Sequence, residues 1–141
     1  MTRPAIAPAQ ARILVVEDDV NNRLVVTKLL QAMGVPRANI LETEGNAADY
    51  MREHAPGGVH LILLDLQLPG KDGFTLLQEL RADPAFAGIP VVAVTANVMR
   101  QHVEQTRAAG FDGFISKPID GRRFSEWIRR LLSGEQLWTS V

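Results

Sequence analysis

Four short, apolar-rich runs punctuate this chain: Ile13-Leu14-Val15-Val16, Val59 to Leu64, Val91 to Val94 and Phe111 to Ile115. None approaches the roughly 18 residues that a membrane-crossing helix needs. They are also too short for amphipathic helices and lack the strict alternation of a half-solvated strand. Each therefore reads as a strand buried on both faces, which requires a sheet covered on both sides. Ile40-Leu41 adds a weaker strand. Between the strands lie helical segments. Residues 20–33 carry Val26, Leu29, Leu30 and Met33 at helical spacing and stop at Gly34. Residues 46–54 turn Ala47 and Met51 inward, and Asp72 caps a helix with Leu76, Leu77 and Leu80 on its inner face. Residues 97–108 are weakly amphipathic, whereas 119–132 carry Phe124, Trp127, Ile128 and Leu131 as a regular stripe. The order is (βα)5. Right-handed crossovers then predict an α/β fold with a doubly wound, five-stranded parallel sheet.

With 141 residues, this is the length of one domain. Residues 1–11, with Pro4 and Pro8, are expected to be a flexible leader, 12–133 the domain, and 134–141 a short tail. The chain has no cysteine, so disulfide frameworks, thiol catalysis and cysteine metal sites are excluded, in keeping with a reducing, cytoplasmic setting. A net charge of −1 argues against nucleic-acid binding through bulk charge. Nothing in the apolar pattern suggests a membrane span or a secretory signal.

In an open parallel sheet, ligands sit beyond the carboxyl ends of the strands. Glu17, Asp18 and Asp19 follow the first strand there, Asp65 follows the run at 59–64, Thr95 follows Val94, and Lys117 follows Ile115-Ser116. Helix capping accounts for any one of Asp18, Asp19 or Asn21. It does not account for the set, because clustered carboxylates at a dry rim need a cation. All-oxygen ligands, with no cysteine and no well-placed histidine, point to Mg²⁺ rather than Zn²⁺, and Lys117 supplies a second positive charge. Such a site suits an anion held against the metal, and phosphate is the natural candidate. Twelve of the 15 basic residues are arginine, so a lysine at this place is notable: a compact ammonium enters a narrow pocket that a guanidinium fork would not.

These stretches together resemble the receiver domain of two-component response regulators. The resemblance rests on Ile13-Leu-Val-Val-Glu-Asp18, Leu63-Leu-Asp65-Leu-Gln-Leu-Pro69 with Asp72-Gly73, Val91-Val-Ala-Val-Thr95-Ala96, and Phe114-Ile-Ser-Lys117-Pro118, and covers roughly residues 12–133. It implies the flavodoxin-like receiver fold. It implies Asp65 as phosphoacceptor, and Glu17, Asp18, Asp65 and the Gln67 backbone carbonyl as Mg²⁺ ligands. Lys117 and Thr95 would contact phosphoryl oxygens, with Thr95 and Phe114 forming the switch pair. Ala96 would leave the phosphoryl group room, Gln67 and Asn97 would tune dephosphorylation, and the Lys117–Pro118 peptide would be cis. Asp19 falls outside the matching pair and reads as a cap or outer-shell residue. Leu68 and Lys71 depart from the family's common methionines, and Phe114 lacks the hydroxyl of the frequent tyrosine.

The implied partners are a histidine kinase or histidine phosphotransfer protein as donor and a downstream protein as output. The first helix would dock the donor, with Asn22, Arg23 and Val26 as exposed candidates. The face around the fourth and fifth helices would switch, in a monomer or a phosphorylation-dependent dimer. The expected role is signalling rather than metabolic catalysis: a stand-alone receiver with no output domain that promotes its own phosphorylation and dephosphorylation, or else a receiver excised from a hybrid histidine kinase or larger regulator. A haloacid-dehalogenase-type phosphatase would need a second aspartate where Gln67 stands. A nucleotide-binding enzyme would need a glycine-rich phosphate loop. A pseudo-receiver would lack part of the Glu17, Asp18, Asp65 and Lys117 set. Arg122, Arg123, Arg129 and Arg130 read as a solvated face or a partner surface, with Asp120 and Glu126 interrupting any nucleic-acid patch. Trp138 either packs back on the domain or meets a partner. His54, His60 and His102 lack metal-ligand partners.

Overall fold

A computed structural model describes residues 5–138. The strands are β1 (Ile13–Val16), β2 (Ile40–Thr43), β3 (Leu61–Asp65), β4 (Val91–Thr95) and β5 (Gly113–Ser116). The helices are α1 (Val20–Ala32), α2 (Ala47–His54), α3 (Gly73–Ala82), α4 (Arg100–Ala109) and α5 (Phe124–Leu132). All neighbouring strands pair in parallel, in the order β2-β1-β3-β4-β5. The chain thus winds outward from β1 in one direction and from β3 in the other, and the reversal lies between these two strands.

Alternation along each strand divides the apolar residues between two cores. Ile13, Val15, Leu61, Leu63, Val92, Val94 and Ile115 face α1 and α5. Leu14, Val16, Ile62, Leu64, Val91 and Ala93 face α2 and α3. α5 buries five residues, Phe124, Trp127, Ile128, Leu131 and Leu132, whereas α4 buries only Thr106. The weak amphipathicity read at 97–108 therefore corresponds to a helix held lightly on its core.

Several boundaries differ from expectation, each for a local reason. α4 starts at Arg100 rather than 97. Asn97 N–H donates to Thr95 Oγ1 (3.2 Å) and Met99 N–H donates to Asn97 Oδ1 (3.1 Å), giving residues 96–99 an alternative to helix. α5 starts at Phe124 rather than 119, because Asp120 binds back on the chain: its side chain accepts from Arg122 N–H and its carbonyl from Arg123 and Phe124 N–H. The leader also departs from expectation. Residues 1–4 lie outside the described residues, but Ile6 packs on the core, Ile6 N–H donates to Leu132 C=O (3.1 Å), and Pro8–Gln10 form a 3-10 turn. At the other end Trp138 packs back on the domain beside the α2/α3 core.

Gly73 opens α3 without a left-handed backbone angle, so its role is spatial. A Cβ there would lie 2.6 Å from Leu66 Cδ2, 2.9 Å from Leu66 Cα and 3.2 Å from the Asp65 carbonyl oxygen. The start of α3 is thus pressed against the backbone that carries Asp65. Gly73→Ala should destabilise the domain by about 1–3 kcal/mol, the usual cost of overpacking. Urea unfolding measures this, and an unchanged midpoint would show that the backbone yields freely there.

Candidate functional site

The register of the two central strands builds the site. Val16 pairs with Leu64, so the next residues, Glu17 and Asp65, emerge side by side where the winding reverses. Both carboxylates are buried, whereas Asp18 is exposed. Glu17, Asp18 and Asp65 each offer an oxygen within 4.8 Å of the others. From the end of β5, Lys117 reaches over both buried groups: its Nζ donates to Glu17 Oε1 (2.9 Å) and Asp65 Oδ2 (3.0 Å). Gln67 N–H donates to Asp65 Oδ1 (2.9 Å), so the aspartate is oriented through both oxygens. The Lys117–Pro118 peptide is cis. Lys117 N–H also donates to the Thr95 carbonyl (2.9 Å), fixing the strand end that carries the ammonium.

The electrostatics follow from crowding two acids and one base in a partly dry rim. Burial pushes the Glu17 carboxyl up to about 7, and its hydrogen bond with Asp65 adds to the shift, against the opposing pull of Lys117. Burial alone would raise Asp65 too, but hydrogen bonds from Glu17, the Gln67 amide and Lys117 outweigh it and hold Asp65 below its usual range. Burial works against the Lys117 ammonium, yet the two carboxylates outweigh it and raise Lys117. Asp65 is thus the ionised member of the acid pair, and Glu17 keeps the shared proton at mildly acidic pH.

The remaining expected residues fall around this centre. Thr95 is fully buried at the end of β4, with its hydroxyl accepting from Asn97 N–H. Ala96 and Asn97 are exposed beside it. Phe114 is fully buried, its ring 6.3 Å from that of His102 in an edge-on contact. His102 also meets Phe74 edge-on at 6.2 Å, so it packs among aromatic rings rather than beside other metal-ligand side chains. Asp19 caps α1, accepting from Asn22 N–H at 2.9 Å.

The docking trio is corrected in two of three positions. Val26 is only 6% exposed and belongs to the α1/α5 core, as its place in the inner stripe requires. Arg23 is half-buried: its guanidinium donates to the Glu17 carbonyl (2.9 Å) and lies near Glu42 and Glu44. Only Asn22 is exposed. The outward apolar residues of α1 are Val20, Leu24 and Val25. Asn22 and Val25 flank Lys117, Pro118 and Ile119 in an open cleft of about 200 Å³ next to the carboxylates. Sequence reading missed Val25 because Val25 and Val26 are adjacent and equally apolar; only the helical phase separates them. Gly73, directly after the capping Asp72, signals close packing rather than a turn, which the sequence pattern alone did not separate.

The model of the response regulator receiver domain family matches residues 13–129. The polar-differentiation response regulator DivK of Brucella anthropi is 38% identical over 123 residues, covering 85% of this chain and 94% of DivK. Response regulator Rre1 of Synechocystis is 33% identical over 124 residues, covering 88% of this chain but only 52% of Rre1, so this chain spans about half of that relative. Among solved structures, the receiver domain of a sensor histidine kinase from Pseudomonas aeruginosa, described with a magnesium ion coordinated in its active-site cleft, superposes with a TM-score of 0.73 at 24% identity, over 86% of this chain and 97% of that one. The doubly wound sheet, the acidic rim beneath Lys117 and these likenesses agree: the chain belongs to the response regulator receiver domain family of two-component signalling.

Proposed function

We propose that this domain accepts a phosphoryl group on Asp65 from a phosphohistidine of a histidine kinase or phosphotransfer protein. The observation that carries the reading is the pairing of an ionised, doubly oriented Asp65 with a lysine that already spans both buried carboxylates. An Asp65 carboxylate oxygen attacks phosphorus, the P–N bond to the donor imidazole breaks, and an acyl phosphate forms. The donor ring enters protonated on its other nitrogen, so the departing imidazole keeps the electron pair of the broken bond and leaves neutral, with that N–H intact. Lys117 lies where it can follow the transferred charge, and Thr95 can turn its hydroxyl from Asn97 toward a phosphoryl oxygen. Phosphoryl transfer asks mainly for positioning and charge neutralisation, which these groups supply.

Glu17, Asp18 and Asp65, with the Gln67 backbone carbonyl, fit a hard divalent cation, since the donors are all oxygen. Mg²⁺ bound there would neutralise charge on the transferring phosphoryl oxygens. The magnesium in the cleft of the Pseudomonas receiver supports this assignment. The open cleft between α1 and Ile119 offers the donor an approach, with Asn22 and Val25 on its wall. The output then passes to a downstream protein through α4, β5 and α5, because α4 is the helix held least firmly. In a longer regulator such as Rre1, of which this chain covers about half, the same displacement would act on a neighbouring domain.

With Mg²⁺ and a small phosphodonor, the intact mass should rise by one phosphoryl group, and Asp65→Ala should abolish the rise. Full-stoichiometry labelling of the Asp65→Ala protein would overturn the assignment of the nucleophile. A second outcome follows from Glu17, whose carboxyl is pushed up to about 7. The metal needs this carboxylate ionised, so binding must expel its proton. Below pH 7 the Mg²⁺ affinity should therefore fall by about tenfold per pH unit, and above it level off. Calorimetric titration reads this directly. An affinity independent of pH across that range would show that Glu17 carries no proton that the metal has to displace.

A further inference from the structure

α5 ends in a turn that sends the chain back to the sheet. Gly134, at φ 90°, closes the helix: Gly134 N–H donates to Leu131 C=O and Glu135 N–H to Arg130 C=O, both at 3.1 Å. Residues 135–138 then run along the outer edge of β5. Leu137 N–H donates to Asp112 C=O (3.0 Å), and Phe114 N–H donates to Leu137 C=O (2.8 Å), a rung of parallel ladder opposite Gly113. The Leu137 side chain is fully buried in the α1/α5 core. Trp138 leans instead on the α2/α3 core, under the Arg107 guanidinium of α4 at 4.8 Å. Gly113 makes this approach possible, since a Cβ there would lie 2.9 Å from the Leu137 carbonyl oxygen.

We propose that the outer edge of β5 is a strand-accepting site for an extended segment of another protein that brings a Leu-like side chain followed by an aromatic one. The chain's own Gln136–Trp138 fills the site until that segment displaces it. The resident segment displays what the edge selects: backbone pairing at one rung, with consecutive side chains sent to opposite faces of the sheet. Two backbone hydrogen bonds and two side chains hold it, so it opens separately from the sheet interior. Because Trp138 touches Arg107, the aromatic side chain of whichever segment occupies the site also contacts α4. None of these contacts involves Asp65, so the proposal stands or falls apart from the phosphoacceptor reading.

The test uses a labelled peptide copying Ser133–Trp138 and the chain of 141 residues carrying Leu137→Ala and Trp138→Ala. The peptide should bind this variant at least about tenfold more tightly than the unmodified chain, the factor worth about 1.4 kcal/mol. A peptide with alanine at the same two places should not bind. Equal, weak binding to both proteins would overturn the proposal. So would dimerisation of the peptide-free variant in sedimentation, which would assign the edge to a second copy. If the variant does not fold, hydrogen exchange in the unmodified chain decides: the Phe114 and Leu137 amides should exchange at least about tenfold faster than those of Leu63 and Val92. Equal rates would mean that the segment opens only with the whole domain, and the edge would then accept nothing.

Discussion

The Lys117 ammonium, held between the Glu17 and Asp65 carboxylates, is the contact on which the rest of the molecule converges. It joins three strand ends that are far apart in sequence. It is also an unusual arrangement for a protein to keep for stability alone, since two buried acids and one base leave an imbalance that burial makes worse. The imbalance appears as the raised Glu17 carboxyl and the lowered Asp65 carboxyl. In the proposed phosphoacceptor role, the Glu17 proton would give way to a metal and the Asp65 carboxylate to a covalent bond.

Everything else in the fold serves to hold those strand ends in register. The pairing of Val16 with Leu64 aligns the two acids. The bond from Lys117 N–H to the Thr95 carbonyl aligns the base. Arg81 secures the opposite end of the sheet: its guanidinium donates to the Ala87, Ile89 and Gly110 carbonyls and to the Asp112 carboxylate. Asp112 in turn accepts from Val91 N–H, so the entries of β4 and β5 are tied to the end of α3 by a single network.

The sheet and the chemical centre were legible because they follow from strong, local signals. Doubly buried strands carry no polar residue until they end, so the acids, Thr95 and Lys117 stood out at the ends of apolar runs. What escaped the sequence depends on phase and on distance. Val25 and Val26 differ by one step on a helix, and that step sends one to solvent and the other to the core. Residues 96–99 carry no breaker, yet Asn97 diverts them from helix through side-chain bonds to its neighbours. Ile6 and Leu137 sit in segments with no period at all, and both are held by contacts to residues remote in the chain or across a tight turn. The spatial role of Gly73 is likewise invisible in one dimension, because the atoms it makes room for belong to Leu66 and Asp65.

In the switch proposed above, the unequal burial of α4 and α5 would set the energetic scale. Moving α5 would expose a whole apolar stripe, at roughly 1.5–3 kcal/mol for each large side chain drawn into water. Moving α4 draws fewer of the helix's own side chains into water, since Thr106 is its one fully buried residue. A population ratio changes tenfold for about 1.4 kcal/mol, so a single new charge-assisted hydrogen bond at the rim is commensurate with the displacement of this helix and too small for its neighbour. On the proposed reading, the direction in which the domain would respond is written into the distribution of its apolar side chains.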